Sequence, residues 1–256
     1  MKAGGYSTRA CQAGAKIGDF ILLLASNLCR ATLAAIAIFC AAPITVQAQQ
    51  RAAVTGGSQD ASVGILRELE AKYADVKSVS GTFTQEREDK TFGKKFTEPA
   101  TFSLLKPSNF RVKYSGAEPS EVLINGQKSY NYIPKLKQAS VYTFKGGQNV
   151  RDLNYLLLGF GAKTDDVLAV YSVKSLPSGK GIQLTPKDRS QAQFKYITME
   201  LSNDGNMLPV RFNMEQTDGS MLSVRVNTGS LKLNPSIGPR DFEPDFPKGT
   251  NMVDMR

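Results

Sequence analysis

The sequence predicts a mainly β protein: one large curved antiparallel sheet, with helices covering its concave face. Apolar and polar residues alternate with period two in about ten segments, which is typical of strands with one buried face. Only two substantial segments show helical spacing, and Gly, Asn and Asp turns separate most strands. Because so wide a sheet twists and curls, the helices are expected on its concave side.

The N-terminal region resembles an export signal. Basic residues precede an apolar run at 31–42, and the small-residue end at Ala48 predicts cleavage there, so 1–48 is expected to be a signal peptide. A membrane anchor is the alternative, but Arg30 leaves the apolar run too short to span comfortably. Lipid attachment at Cys40 is disfavoured because the bulky Phe39 precedes it.

The rest of the chain is expected to form a flexible segment at 49–60 and a single domain at 61–256. The chain has no histidine, and its three cysteines all lie before residue 41, which excludes Ser/His and Cys/His chemistry and most zinc sites. No metal and no cofactor are expected. The formal net charge is +9, but the charges are scattered, so nucleic-acid binding is not expected either.

The elements follow from periodicity. Apolar residues at spacings of three and four predict an amphipathic helix at 62–76 and a second helix at 148–160, with a short helix at 165–169. Alternation predicts strands at 79–86, 100–104, 110–114, 121–124, 129–132, 171–176, 182–186, 194–201, 208–216 and 220–231.

The inward side chains of these strands either line an apolar cavity or fill a dry core, and periodicity alone does not separate the two. Either parity of the strand at 194–199 can face inward. The candidate lining residues are Phe83, Phe102, Leu104, Val112, Tyr114, Tyr130, Tyr132, Phe194, Tyr196, Met199, Phe212 and Met214.

Three motifs stand out along the chain: Lys106-Pro107-Ser108-Asn109-Phe110, the strand that ends Tyr130-Asn131-Tyr132-Ile133-Pro134, and Gln138-Ala139. Together they resemble the periplasmic outer-membrane lipoprotein carrier family (LolA). Later segments at 184–187, 203–205 and 242–249 are also similar, so the resemblance covers residues 78–254. Val112 and Ser129 depart from the family, because aromatic residues are usual there.

The resemblance implies that the curved sheet is an open half-barrel and that the helices form its lid. It also implies a periplasmic carrier, expected to be a monomer, which makes and breaks no bond. Its cavity would accept the acyl chains of lipoproteins from an inner-membrane ABC transporter and pass them to an outer-membrane receptor, if one exists. Such chains need an apolar lining to cross water.

The resemblance also implies roles for individual residues. Lys106, where the family has Arg, would latch the lid to the barrel, and Phe110 would meet the transporter. The lid face would be formed by Leu153, Leu156 and Leu157. The residues alone allow plainer readings: Lys106 as a solvated strand end, Phe110 as strand core, and the leucines as a permanent core helix.

Two other functions compete. An exported hydrolase could use carboxylates such as Asp165, Asp166, Asp241 or Asp245, although no nucleophile elbow or phosphate loop accompanies them. A sensing module, or a carrier for another lipid, could share the same scaffold.

Overall fold

The structure is a computed structural model, which describes residues 56–90, 93–126, 128–144, 158–190, 192 and 194–255. The expected signal peptide at 1–48 lies outside the described residues. The elements are α1 Gly56–Lys72, β1 Ser78–Asp89, β2 Lys94–Leu105, β3 Asn109–Tyr114, β4 Ser120–Asn125, β5 Lys128–Ile133, β6 Gln138–Thr143, α2 Thr164–Val170, β7 Tyr171–Ser175, β8 Gly181–Pro186, β9 Phe194–Leu201, β10 Pro209–Gln216, β11 Met221–Leu233 and β12 Asn251–Asp254. Short 3₁₀ turns lie at Pro134–Leu136, Leu158–Phe160 and Pro239–Phe242.

All twelve described strands form one sheet, in the order β12-β6-β5-β4-β3-β2-β1-β11-β10-β9-β8-β7. The pairing of β1 with β11 joins the first half of the strands to the second half. Neighbours are antiparallel except β12, which runs parallel to β6. The terminal strands β12 and β7 do not pair with each other, so the sheet stays open. The predicted mainly β half-barrel is confirmed.

Helix α1 begins earlier than its periodicity indicates. The helix starts at Gly56 rather than at residue 62, so residues 56–60, which were expected to be flexible, are helical. Glycine disfavours helix, but tertiary packing overrides such local preferences. Leu66 and Leu69 are each 1% exposed, and Ser62 Oγ donates to the Val173 carbonyl oxygen on β7 at 3.2 Å. These contacts fix α1 across β7 and β8.

The predicted strands are present, and β9 has the predicted bounds. The short helix expected at 165–169 is α2, at Thr164–Val170. The prediction missed two strands, β6 and β12. Only Ala139 is buried in β6, so its alternation is weak, and the four-residue edge strand β12 is too short for alternation to show. Of the helix expected at 148–160, only Leu158–Phe160 lies within the described residues, where it forms a 3₁₀ turn.

The two faces of the sheet carry separate apolar clusters. The face that packs on α1, here called the inner face, contributes to a large cluster that includes Val112, Val122 and Met199. The opposite, outer face carries a smaller cluster centred on Leu123 and Phe242. Because side chains alternate along a strand, Val122 and Leu123 belong to different clusters.

The C-terminal segment covers part of the outer face before it forms β12. Its turn at Pro239–Phe242 contacts β3 and β4, and Phe246 stacks on Tyr132 with ring centroids 4.8 Å apart. Arg111 Nη2 on β3 donates to the Glu243 carbonyl oxygen at 2.8 Å. This segment therefore buries side chains on the outer face of strands whose inner face is also buried.

Phe242→Ala should strongly destabilise this outer cluster. Phe242 is 0% exposed, and removal of a fully buried phenylalanine ring costs about 3–5 kcal/mol. The half-buried Phe246→Ala variant is the matched control and should lose less. Urea unfolding measures both free energies, and equal losses would show that Phe242 is not the centre of this cluster.

Candidate functional site

A continuous set of aromatic rings runs along the inner face of β1, β2 and β3. The Phe83 ring lies 6.0 Å from both Tyr114 and Phe102 between centroids. Phe102 in turn lies 6.5 Å from Phe110 and 6.3 Å from Phe160. Because aromatic rings bury large apolar areas, these contacts form an extended apolar surface.

The same surface continues across β9, β10 and β11. Phe212 on β10 pairs with Met199 on β9, and Met214 pairs with Leu222 on β11. All four side chains belong to, or pack against, the large inner cluster. Methionine side chains adapt their shape readily, so this half of the inner face can adjust to an irregular apolar neighbour.

The structure brings most of the candidate lining residues together on the inner face. These residues are Phe83, Phe102, Leu104, Val112, Tyr114, Phe194, Met199, Phe212 and Met214. Leu153, Leu156 and Leu157 lie outside the described residues. The acyl-binding role of all these side chains remains a proposal.

Tyr130 and Tyr132 do not line the inner face, and this part of the prediction is wrong. Tyr130 pairs with Leu123 and joins the outer cluster, where its ring lies 5.9 Å from that of Phe246. Tyr132 stacks on the same ring. The inward residues of β5 are instead Ser129 and Asn131, which pair with the inner-face residues of β4.

Tyr196 also lies on the outer face. The register between β9 and β10 shifts between Glu215 and Gln216, so Phe194 and Met199 face inward although their parity differs. The hydrogen bond between Tyr196 and the Glu215 carboxylate raises the pKa of the tyrosine hydroxyl. The strand whose parity the sequence left open is thus resolved in favour of Phe194 and Met199.

Lys106 lies between the sheet and the end of α1. Its Nζ donates to the Tyr73 carbonyl oxygen at 2.9 Å, and burial lowers the pKa of this amino group below its ordinary value. A cation at a helix C-terminus is favoured by the partial negative charge of the last carbonyl groups. Lys106 therefore joins the β2 end of the sheet to the first helix, and it is not a solvated strand end.

The end of α1 has further partners, which periodicity did not reveal. Tyr73 Oη donates to the Asn206 carbonyl oxygen at 2.6 Å, and Lys72 Nζ donates to that of Gly205 at 3.0 Å. The Tyr73 ring meets Phe160 edge-on at 6.3 Å. Two hydrogen bonds and one ring contact thus accompany the bond from Lys106.

Glu70 links α1 to α2. The backbone N–H of Thr164 donates to Glu70 Oε2 at 3.0 Å, and this hydrogen bond lowers the pKa of the carboxyl group. The carboxylate also lies at the N-terminus of α2, where negative charge is favoured.

Gly161→Ala should disturb the contact between Lys106 and Tyr73. Gly161 has φ of +85°, and an added Cβ would lie 3.1 Å from the Tyr73 carbonyl oxygen and 3.2 Å from Lys106 Nζ. Gly249→Ala is the control, because Gly249 has φ of +84° with nothing within 4 Å. Backbone strain of about 1–2 kcal/mol is expected in both variants, with an additional loss only at Gly161. Equal losses in urea unfolding would contradict this close contact.

Phe110 lies half-buried on the inner face of β3, where its ring contacts Phe102. Its position combines packing with partial exposure. Its predicted role in docking to a transporter remains a proposal.

A polar region lies beyond the aromatic rings, toward the C-terminal end of β1 and the N-terminal end of β2. Tyr114 Oη donates to the buried Gln85 at 3.0 Å, and burial raises the pKa of the tyrosine. A pocket of about 230 Å³ here is lined by side chains that include Arg87, Lys95 and Glu98. These charged groups make the pocket unsuitable for hydrocarbon chains.

Within the part of the chain that the structure describes, no group of three or more His, Cys, Asp or Glu side chains could hold a metal ion. Among the same residues, neither helix combines the length and apolarity needed to span a membrane.

Fold and site together define an open antiparallel half-barrel with an apolar inner face and a helix packed across it. The chain belongs to the family described as outer membrane lipoprotein carrier protein LolA, whose model matches residues 74–244.

Two sequence relatives of known name support this assignment. An outer-membrane lipoprotein carrier protein of Bordetella avium is 30% identical over 231 residues, which cover 87% of this chain and 96% of that protein. One from Alkalilimnicola ehrlichii is 24% identical over 188 residues, covering 73% and 82%. Among solved structures, a LolA superfamily protein from Nitrosomonas europaea superposes with a TM-score of 0.40 at 12% identity, covering 72% of this chain and 97% of that chain.

Proposed function

We propose that this protein is a periplasmic carrier that binds the acyl chains of lipoproteins on its inner face and transports them from the inner membrane to the outer membrane. Membership of the carrier family supports this role. The observation that carries it is the apolar inner face, which extends from Phe110 on β3 to Met199 on β9 in a sheet that does not close.

The inner face suits acyl chains energetically. Each buried CH₂ group contributes about 0.8 kcal/mol, so one long chain offers a large favourable term without a directional bond. Rings and methionine side chains such as Phe83, Phe212 and Met214 bind through contact area alone. A chain held in this way can leave when another apolar surface is offered, which is what hand-over requires.

Loading and release need a movable cover. We propose that α1 belongs to this cover and that Lys106 closes it through the Tyr73 carbonyl group. An inner-membrane ABC transporter would load the protein, with contacts at Phe110, and an outer-membrane receptor, where one exists, would accept the cargo. The protein acts as a monomer in this scheme and needs no cofactor.

The scheme includes no catalysis. The carboxylates considered for a hydrolase lie at a helix end or in the C-terminal segment, away from the inner face. Asp165 and Asp166 occupy the first turn of α2, where negative charge favours the helix N-terminus. Asp241 Oδ2 accepts a hydrogen bond from the Gly238 N–H at 2.7 Å. All four acidic candidates, Asp245 included, are exposed and lie outside the inner cluster.

The test is release of lipoproteins from spheroplasts by purified residues 49–256. Gel electrophoresis and mass spectrometry should find acylated lipoproteins in the supernatant, bound to the protein in a one-to-one complex. Serum albumin, which takes up free acyl chains, is the control and should release none. Protein that returns empty, or that holds a different lipid, would contradict the proposal and favour a sensing module or another lipid carrier on the same scaffold.

A further inference from the structure

One strand interrupts the apolar inner face. On β5, Ser129 pairs with Ile124 and Asn131 pairs with Val122, and both of these partners belong to the large inner cluster. The inward side chains of β5 are therefore polar although their neighbours on β4 are aliphatic. Ser129 is 5% exposed and Asn131 is 8% exposed.

Two polar atoms on this part of the inner face lack hydrogen-bond partners. In the part of the chain that the structure describes, Asn131 Oδ1 is fully buried and accepts no hydrogen bond, and the same holds for Ser120 Oγ on β4. Ser120 pairs with Tyr114, so its side chain also faces inward. Since Ser120 lies two residues from Val122, the partner of Asn131, the two side chains are diagonal neighbours, typically about 7–8 Å apart.

A buried polar atom without a partner is unfavourable, so its presence calls for an explanation. The hydrogen bonds between β4 and β5 involve backbone groups, so they do not satisfy these side-chain atoms. A leucine or valine at position 131 would continue the apolar surface. A ligand that brings its own donor to Asn131 would remove the penalty, and such a ligand must carry the donor next to hydrocarbon.

We propose that Asn131 and Ser120 recognise the amide group of an amide-linked acyl chain bound on the inner face. An amide offers one N–H, which Asn131 Oδ1 accepts, and one carbonyl oxygen, to which Ser120 Oγ donates. An ester group has only acceptors and leaves Asn131 Oδ1 without a donor. The protein therefore prefers amide-linked over ester-linked acyl chains. The inference rests on the proposed carrier function, and it names the amide as the chemical group that the inner face recognises.

The experiment uses two synthetic lipopeptides with the same acyl chains and the same peptide. One carries an N-palmitoyl amide, and the other carries the N-methylated amide, which keeps the carbonyl group but lacks the N–H donor. Binding of each to residues 49–256 is measured by titration calorimetry. The wild-type protein should bind the N–H lipopeptide about tenfold more tightly.

Variants test whether Asn131 causes the preference for the N–H lipopeptide. In Asn131→Leu the two affinities should become equal within about twofold, because the acceptor is gone. Asn203→Leu, in an exposed turn after β9, is the matched control and should keep the tenfold preference. Ser120→Ala should weaken both lipopeptides similarly, since both retain the carbonyl group.

The outcomes separate the two proposals. Equal wild-type affinity for both lipopeptides would overturn the amide inference while the carrier function stands, and this comparison needs no variant to fold. A preference that survives Asn131→Leu would also overturn the inference. If neither lipopeptide binds, the carrier function fails and the inference fails with it. N-palmitoylethanolamine, as a third probe, distinguishes a free amide lipid from a lipopeptide: weaker binding than the lipopeptide, with the same sensitivity to Asn131→Leu, supports a peptide-borne amide.

Discussion

Lys106→Leu should retain lipoprotein binding but hand the cargo over poorly. The substitution removes the hydrogen bond from Nζ to the Tyr73 carbonyl oxygen and adds apolar surface beside the inner face. Hydrogen bonds to charged groups contribute about 1.5–3 kcal/mol, which corresponds to a shift of roughly 10- to 100-fold toward the open cover. Transfer of labelled lipoprotein from the purified complex to outer-membrane vesicles measures the effect.

Two control variants make this result specific to the contact. Lys106→Arg keeps a cation with several donors and should transfer cargo at least as well as the wild type. Lys174→Leu removes the same charge from the exposed face of β7, opposite the inward Val173, and should have no effect. Unimpaired transfer by Lys106→Leu would remove this residue from the mechanism.

Phe110→Glu is expected to block loading. Phe110 is half-buried beside Phe102, and a carboxylate there would lose its hydration when an apolar partner covers the site. Burial of an unpaired charge costs several kcal/mol, so release of lipoproteins from spheroplasts should fall at least tenfold.

Its controls separate docking from packing. Leu136→Glu places the same charge on a side chain that is 59% exposed and should load normally. Phe110→Leu keeps the position apolar and should also load. Thermal unfolding of each variant measures how far the folded state itself is weakened. Normal loading by a folded Phe110→Glu variant would show that Phe110 serves only the core.

The fold could be predicted from alternation because most strands have one face against α1 or the inner cluster and the other toward water. The same logic misplaced Tyr130 and Tyr132. Both faces of β5 are covered, one by the inner cluster and the other by the C-terminal segment with Phe246. Where both faces of a strand are buried, the size of the side chains no longer shows which face is the inner face.

Other parts of the site had weaker signals in the sequence. Lys106 was found through the family resemblance, because a lone lysine at a strand end forms no pattern. The orientation of Phe194 and Tyr196 depends on one register shift, which cannot be recognised from the residue types in the sequence. Asn131 could have been found as a polar residue in line with inward positions, but only once the orientation of β5 was known.

The central claim is that acyl chains lie on the inner face. A photoreactive benzoylphenylalanine placed at Phe83 or at Tyr196 tests this directly, because the first position faces inward on β1 and the second outward on β9. Both sites already hold an aromatic ring. After illumination of complexes loaded with palmitate-labelled lipoprotein, the account predicts label crosslinked at position 83 and none at position 196. Equal labelling at the two positions, or labelling at position 196 alone, would contradict it.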